Sequence, residues 1–292
     1  MERYKSVKIA SILGVLGNLF LLIIKGFIGF ITNSRAMIAD AFNSAGDIFS
    51  SVMTFIGNKI ASMPSDEDHN LGHGKAEYIY SMLISIFIFL TALFIFKDSF
   101  KAIFNHSDYE FSVYLIIVCI ITIIIKLCLY IYTHTLSKKQ KNLLIEANSK
   151  DHRNDIFITL SNLIASILAL YKIYWFDGVI GVLISIWMIK EAIKIYITSY
   201  DVLMDKAISD ELKNKVFEII KSHEEIKKVI HFNSTPVGYK YQISFTIYVD
   251  GNLSTFKSHK IADDLEKEID KKIDDIYLTI IHVNPMKLKS NN

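Results

Sequence analysis

Six apolar runs, each close to the length of a membrane-spanning helix, occupy the first two-thirds of the chain. Their approximate positions are 8–31, 36–60, 78–98, 111–134, 154–173 and 178–199. A helix needs roughly 20 apolar residues to cross the hydrocarbon core of a bilayer. Hydropathy alone gives five spans, because the fifth run has a polar start. A polar motif that the second and fifth runs share favours six, so the sequence predicts a six-helix transmembrane domain over residues 1–204.

The pattern changes after Asp205. The segment SDELKNKVFEIIKSH predicts an amphipathic helix capped by Ser209, and HKIADDLEKEIDKKI predicts a second helix. YKYQISFTIYVD alternates in polarity and is rich in aromatic and β-branched residues, which is typical of a strand. Further strands are predicted at YLTIIHV and around residues 228–233. Residues 205–292 are therefore expected to form a small α+β module of ferredoxin-like type.

Composition agrees with a membrane part joined to a soluble part. The chain has 292 residues, of which 51% are hydrophobic, and its mean hydropathy is +0.33. The first apolar run is too long for a cleavable signal peptide and lacks a small-residue cleavage site, so it is expected to remain as a span. Cys119 and Cys128 lie nine positions apart in one apolar run, a spacing that indicates neither a metal site nor a redox pair.

Charge bias predicts the orientation in the membrane. Lysine and arginine are frequent at the N-terminus, after the fourth run and throughout the soluble module, and the opposite loops carry only Arg35, Lys97, Lys101 and Lys172. Cytoplasmic loops of membrane proteins are enriched in these two residues. We therefore expect a multi-pass protein of the plasma membrane with both termini in the cytoplasm.

Two pairs of oxygen-bearing side chains interrupt the apolar runs. Asn43 and Asp47 are four residues apart in the second run, and Asp151 and Asp155 have the same spacing at the start of the fifth. Residues at i and i+4 lie on one face of a helix. The tripeptide Asp-Ile-Phe occurs in both runs, and it starts at Asp47 and at Asp155. The second run is directed inward and the fifth outward, which fits a weak inverted symmetry. Because carboxylates inside a membrane usually face a cavity, a partner or an ion, the two pairs predict one shared cation site.

The donor atoms of this quartet favour a hard cation. Oxygen ligands suit Mn²⁺, Mg²⁺ and Ca²⁺ and tolerate Fe²⁺, whereas Zn²⁺ prefers sites with His or Cys. Three carboxylates at low dielectric repel one another, so at least one should hold a proton when no metal is bound. Metal entry would then displace protons, which is a basis for exchange. In the alternative interpretation these groups cap helices or pair with Lys25 and Lys126.

Other candidate ligands lie outside the apolar runs. Asp66, His69 and His73, in a loop after the second run, could bind a metal, and the alternative is an ordinary exposed acidic loop. His231, His259 and His282 are scattered in the soluble module, where single histidines are more often surface or packing residues. The chain contains neither a glycine-rich phosphate loop nor a nucleophile elbow. The sequence therefore predicts no enzyme activity, no organic cofactor and no nucleic-acid partner.

Together these residues resemble the cation diffusion facilitators over almost the whole chain. The matching stretches are, in order, SRAMIADAFNSAGDIFSS, HNLGHGKAEYIYS, ANSKDHRNDIF, LMDKAISDEL, SHKIADDLEKEI and IIHVNP. The resemblance implies a homodimeric antiporter that exports divalent metal against protons. It also implies a cytoplasmic ferredoxin-like module that helps dimerisation and can bind regulatory metal.

The resemblance assigns the transport site to Asn43, Asp47, Asp151 and Asp155. Zinc-transporting members usually have a histidine in this quartet, and here there is none. The pattern is similar to that of the manganese-exporting branch, so Mn²⁺ is the leading expectation and Fe²⁺, Zn²⁺, Co²⁺ and Cd²⁺ are the alternatives.

The resemblance also gives roles to residues outside the quartet. It places a loop metal site at Asp66, His69 and His73, and it implies that Lys75 and Asp205 form a charge pair that ties the membrane part to the soluble module. A weak cytoplasmic site would use His231, His259 and His282. Ser244 and Asn284 replace two further ligands of zinc-binding members, so weaker binding or none is expected there.

Two rival functions have different sequence signatures. A membrane metal sensor or scaffold would keep the ligand residues but bind without moving ions. An intramembrane hydrolase would need its own local motifs, and none is present, since a pair of carboxylates is not by itself a catalytic site.

Overall fold

The computed structural model describes residues 2–31, 35–104, 113–169 and 175–286. Six long helices form in this part of the chain: α1 Glu2–Ile31, α2 Arg35–Ala61, α3 Ala76–Phe104, α4 Val113–Gln140, α5 Leu143–Ala169 and α6 Trp175–Leu203. Lys172, one of the outer-loop residues used to predict orientation, lies outside the described residues. Each helix overlaps one of the six apolar runs of the sequence, and the largest difference is at α5, which begins at Leu143, eleven residues before the run at 154–173.

By length and composition, three of the described helices can cross a membrane, namely Arg3–Ile31, Ala76–Phe104 and Ile116–Gln140. Helices α2 and α5 have 27 residues each, about 40 Å at 1.5 Å per residue, which is also long enough. Their hydropathy is lower because they carry buried polar residues, among them Asp47, Asn148 and Asp155. The predicted fold class, a helical membrane protein with a small α+β domain, is confirmed.

Packing of the long helices creates an interior that holds polar groups. Helix α1 packs along α2 and α4 packs along α5, and contacts of α1 with α4 and of α2 with α5 complete a four-helix bundle. Helix α3 packs against α2 and α5. Leu16, Ile23, Phe94 and Ile124 are examples of large apolar side chains that point outward, as expected where the solvent is lipid.

The chain divides into two compact units. One consists of Met1–Pro64 and Ala76–Tyr200, and the other of Ser65–Lys75 and Asp201–Asn292. The loop after α2 thus groups with the C-terminal residues, whereas the sequence-based division was a single boundary at residue 204. The physical reason is close packing, since a Cβ atom on Gly74 would lie 2.9 Å from the Cα of Gly238.

The second unit contains α7 Asp210–Ser222, β1 Lys228–Val237, β2 Lys240–Asp250, α8 Thr255–Lys272 and β3 Ile276–Met286. The sheet order is β1-β2-β3, with β1 antiparallel and β3 parallel to β2. The Ser209 hydroxyl accepts a hydrogen bond from the backbone N–H of Leu212 and caps α7. Apolar faces of both helices and of β2 form the core, which includes Val216, Ile220, Ile243, Ile247 and Leu265. The strand expected at 228–233 is longer and runs to Val237.

Candidate metal sites

Two of the predicted ligands share one buried lysine. Asp47 on α2 and Asp155 on α5 lie close to the midpoints of their helices, as does Lys126 on α4. Lys126 Nζ donates to Asp47 Oδ2 at 2.7 Å and to Asp155 Oδ2 at 2.5 Å. The Lys126 side chain is only 1% exposed, and both aspartates are buried. The pairing of carboxylates with a lysine, which the sequence left open as an alternative, is therefore what the structure contains for Asp47 and Asp155.

Asp151 belongs to the same cluster. It is buried and close enough to Asp47, Asp155 and Lys126 to interact with them electrostatically. In the described part of the chain its Oδ2 atom has no hydrogen-bond partner. Asn43 lies one helical turn before Asp47 and is half-buried. The structure thus brings the three aspartates into one buried cluster and places Asn43 on the adjacent turn of α2.

The carboxylate oxygens of the three aspartates are not arranged around one common position. Among the described residues, the carboxylates of Asp47, Asp151 and Asp155 do not form a group whose ligand atoms all lie within 4.8 Å of one another. The ammonium of Lys126 lies between two of them instead. A metal ion that used Asp47 and Asp155 together would need the position that the ammonium occupies, because both bind the same pair of Oδ2 atoms.

The other buried lysine has a different partner. Lys25 Nζ on α1 lies 2.9 Å from Asp40 Oδ2 and donates to Ser44 Oγ at 3.1 Å. Like Lys126, Lys25 is almost fully buried. Of the two lysines that the sequence offered as neutralising partners, Lys126 contacts the quartet directly and Lys25 forms its ion pair with Asp40.

Sequence reasoning missed a set of buried polar residues on α5 beside the aspartates. Asn148 and His152 are one turn apart and fully buried. Within the described residues, neither ring nitrogen of His152 and neither side-chain polar atom of Asn148 has a hydrogen-bond partner. Buried polar atoms are normally paired, so these groups mark a place that suits water or an ion. The four-residue spacing from Asn148 to His152 is the sequence signal that could have revealed this face.

The loop between α2 and α3 forms a compact cluster of ligand atoms. Asp66 Oδ1 lies 3.2 Å from His69 Nδ1, and Asp66 Oδ2 lies 3.5 Å from His73 Nε2. One ligand atom from each of the three residues falls within 4.8 Å of the others. The backbone N–H of His69, which donates to Asp66, lowers the pKa of that carboxyl, and the His69 and His73 side chains lower it further. Two imidazoles and one carboxylate fit a transition-metal ion with an open coordination position.

The three histidines expected to form a cytoplasmic site are spread over the sheet and α8. His282 on β3 pairs across from Thr246 on β2, and its Nε2 lies 3.0 Å from Asn284 Oδ1. His231 lies in a β1 bulge with a positive φ of 53°. Because β1 and β3 flank β2, strand spacing separates the two by about 10 Å. Within the described residues, His231, His259 and His282 do not form a group of ligand atoms within 4.8 Å.

Lys75 and Asp205 meet in the structure. Lys75 Nζ donates to Asp205 Oδ1 at 2.7 Å, and both side chains are partly exposed. Both residues belong to the second compact unit. Asp205 has a positive φ of 56°, a left-handed backbone conformation that does not continue an α-helix.

Comparison with known proteins places the whole arrangement in one family. Residues 11–204 match the family described as the cation efflux transmembrane domain, and residues 208–286 match the cation efflux protein cytoplasmic domain. The cation-efflux pump FieF of Shewanella oneidensis is 27% identical over 97% of this chain and 95% of its own length. The manganese efflux system protein MneP of Bacillus subtilis is 26% identical, over 97% of this chain and 98% of its own.

The manganese efflux system protein MneS of Bacillus subtilis is 27% identical over 99% of this chain and all of its own length. The relatives and the two family matches run from the first helix to the last strand. They confirm the resemblance that the sequence motifs indicated. The chain belongs to the cation diffusion facilitator family and is a multi-pass membrane protein that transports divalent cations out of a compartment, rather than an enzyme.

Proposed function

We propose that this protein is a Mn²⁺/H⁺ antiporter that works by alternating access as a homodimer in the plasma membrane. The observation that carries the proposal is the buried cluster of Asp47, Asp151 and Asp155 near the middle of two packed helices. Charged side chains at membrane depth are costly and mark ion pathways. Asn43, on the same face of α2 one turn from Asp47, completes the ligand set.

A ligand set made only of oxygen atoms supports manganese as the transported ion. Carboxylate and amide oxygens suit Mn²⁺, and the quartet lacks the histidine or cysteine that Zn²⁺ favours. Two relatives that align over nearly the whole chain are manganese efflux proteins. The alternative within the family is a broader exporter of Zn²⁺, Fe²⁺, Co²⁺ or Cd²⁺, because the affinity order of divalent metals favours the later ones.

Coupling to protons follows from the charge of the cluster. Three buried carboxylates and one lysine leave an excess of negative charge, which a low-dielectric interior disfavours. Either protons or a divalent ion can compensate that charge, so metal entry displaces protons and metal release allows them to return. Cytoplasmic metal would enter the inward-open site and leave when the bundle opens to the outside.

The remaining parts of the chain have supporting roles. The second unit matches the cytoplasmic domain of the family, and with the lysine-rich segments of the membrane part this supports cytoplasmic termini. We assign dimerisation to this unit. The Asp66, His69 and His73 cluster is a second, loop metal site, and the scattered histidines of the sheet and α8 give at most weak binding.

Transport in proteoliposomes tests the proposal. A Mn²⁺ gradient should drive proton movement, detected with an enclosed pH-sensitive dye, and Asp47→Ala or Asp155→Ala should abolish it. Asp98→Ala is the matched control, because Asp98 is an exposed aspartate of α3 and should leave the signal unchanged. Transport at the wild-type level by both site variants would exclude the assigned site.

Two further outcomes separate the rivals. Competition among Mn²⁺, Zn²⁺, Fe²⁺, Co²⁺ and Cd²⁺ in the same liposomes distinguishes the manganese exporter from the broad one. A non-transporting metal sensor would bind Mn²⁺ in detergent but show neither metal uptake nor proton movement in liposomes.

A further inference from the structure

Lys126 is a buried cation in an otherwise uncharged stretch of helix. Between residues 113 and 137 it is the sole Lys, Arg, Asp or Glu, and its side chain is 1% exposed. A lysine can be held inside a membrane bundle only when its ammonium is paired. Its two partners, Asp47 and Asp155, come from two other helices, so the lysine joins α2, α4 and α5 at one point.

We propose that Lys126 is a tethered cation that occupies the empty transport site, and that Mn²⁺ binds by displacing its ammonium from Asp47 and Asp155. The inference rests on the proposed function, in which these two carboxylates hold the transported ion. It adds a specificity-determining residue that is itself a competitor for the site.

Competition follows from the contacts. The ammonium is within 2.7 Å of one Oδ2 atom and 2.5 Å of the other. A divalent ion ligated by the same two atoms would lie at comparable distances from them, so the two cations exclude each other by volume and by charge repulsion. The four-carbon stem of lysine is flexible, so the ammonium can move to the neighbouring Asp151, whose Oδ2 atom has no hydrogen-bond partner among the described residues, without a shift of α4.

This arrangement has two consequences for transport. When the metal leaves, the ammonium returns, so the buried carboxylates of Asp47 and Asp155 never remain unpaired and release is easier. In addition, an entering ion must interact with the carboxylates more strongly than a resident single charge does. A divalent ion meets this requirement and Na⁺ or K⁺ does not, so Lys126 excludes the monovalent ions that are abundant in the cell.

Metal binding by the Lys126→Met variant tests whether the lysine ammonium competes with Mn²⁺. Isothermal titration with Mn²⁺ alone, on the full chain in detergent and with Asp66→Ala added to both proteins to remove the loop site, should show a dissociation constant at least about tenfold lower than with Lys126 present, since the resident charge is removed. Liposome turnover should fall, because release becomes slow. Lys25→Met is the matched control, since Lys25 is equally buried but paired with Asp40, and its affinity for Mn²⁺ should change less than about threefold.

Two more variants keep the test decisive if Lys126→Met does not fold. Lys126→Gln is neutral but retains a hydrogen-bond donor, and in it Mn²⁺ should raise the thermal unfolding midpoint by more than it does in wild type. Lys126→Arg keeps the positive charge and should keep an affinity near that of wild type. An equal gain in affinity for Lys126→Arg and Lys126→Met would contradict a role for the charge.

Different results would contradict the role of Lys126 and the assignment of the transport site. Unchanged or weaker Mn²⁺ binding in both neutral variants, together with loss of binding in Asp47→Ala, would overturn the role of Lys126 and keep the site. Undiminished Mn²⁺ binding in Asp47→Ala would instead overturn the transport site itself.

Discussion

Arg3 and Glu77 form an ion pair inside the membrane unit, with Arg3 Nη2 2.8 Å from Glu77 Oε2 and side chains that are 14% and 3% exposed. Glu77 Oε1 also accepts a hydrogen bond from the backbone N–H of Leu143 at 2.9 Å. One carboxylate in the first turn of α3 thus connects the start of α1 with the start of α5. The ends of three helices are fixed by a group that none of the metal sites uses.

Removing one partner of this pair should destabilise the protein strongly. In Arg3→Ala the carboxylate of Glu77 loses its counter-charge while still buried, which typically costs about 3–5 kcal/mol. The free energy of unfolding, measured by denaturant titration in detergent, should fall by that order. The double variant Arg3→Ala/Glu77→Gln should recover part of the loss, because no charge is then buried. A double variant as unstable as the sum of the single ones would contradict the pairing.

Close approach of α2 to α3 makes Gly57 sensitive to substitution. A Cβ atom at this position would lie 2.6 Å from the Cβ and 2.8 Å from the Cγ of Tyr80. The Cβ atom of Tyr80 cannot move without the backbone, so Gly57→Ala should lower stability by about 1–3 kcal/mol. Gly26→Ala is the control, because nothing lies within 4 Å of a Cβ there, and its change should stay within about 1 kcal/mol. Thermal unfolding of both variants in detergent compares them directly.

Introducing an imidazole into the transport quartet should change metal preference. Asn43→His or Asp151→His adds a nitrogen donor, which Zn²⁺ favours over Mn²⁺. The ratio of Zn²⁺ to Mn²⁺ uptake in liposomes should rise about tenfold or more. Asn162→His, on α5 but outside the quartet, serves as the control and should leave the ratio unchanged. If neither quartet variant altered the ratio, the donor set would not determine selectivity.

The loop site should account for one bound metal per chain. Asp66→Ala removes the carboxylate that contacts both imidazoles, so the number of metal ions bound per chain, counted by elemental analysis after gel filtration, should fall by one. Asp68→Ala tests the effect of charge alone, since Asp68 lies in the same loop and contributes only its backbone N–H to Asp66. Equal losses in the two variants would argue for a general charge effect.

Acid should loosen the contact between α7 and α8 through Glu268. Hydrogen bonds from Lys272 and then from His223 hold the pKa of this carboxyl below its ordinary value. Because the pKa of Glu268 is lower in the folded protein than in the unfolded chain, the ionised carboxylate stabilises the fold at every pH above its ordinary pKa. That stabilisation is lost as the pH falls through the lowered pKa of the folded state. The protection factors for amide hydrogen exchange of residues 255–272 in the full chain, which correct for the slower intrinsic exchange in acid, should therefore fall on acidification more in wild type than in Glu268→Gln. The same fall in both would exclude Glu268 as the cause.

The sequence by itself determined the elements and most of the candidate ligands. Apolar runs long enough for a bilayer predicted α1 to α6, and alternation over 239–250 predicted β2, because both patterns are local. The spacing of Asn43 from Asp47, and of Asp151 from Asp155, placed each pair on one helix face before any helix was packed. The same local rule identified Ser209 as a cap.

Only the tertiary structure decided which charges meet. Lys25 and Lys126 are equivalent in sequence terms, both single lysines within apolar runs, yet Lys126 binds Asp47 and Asp155 while Lys25 binds Asp40. The partners are 79 and 29 residues away from Lys126 along the chain. No local sequence pattern relates residues so far apart, so these contacts could not be predicted from spacing. The register of three helices sets those contacts, and that register follows from side-chain packing across the whole bundle.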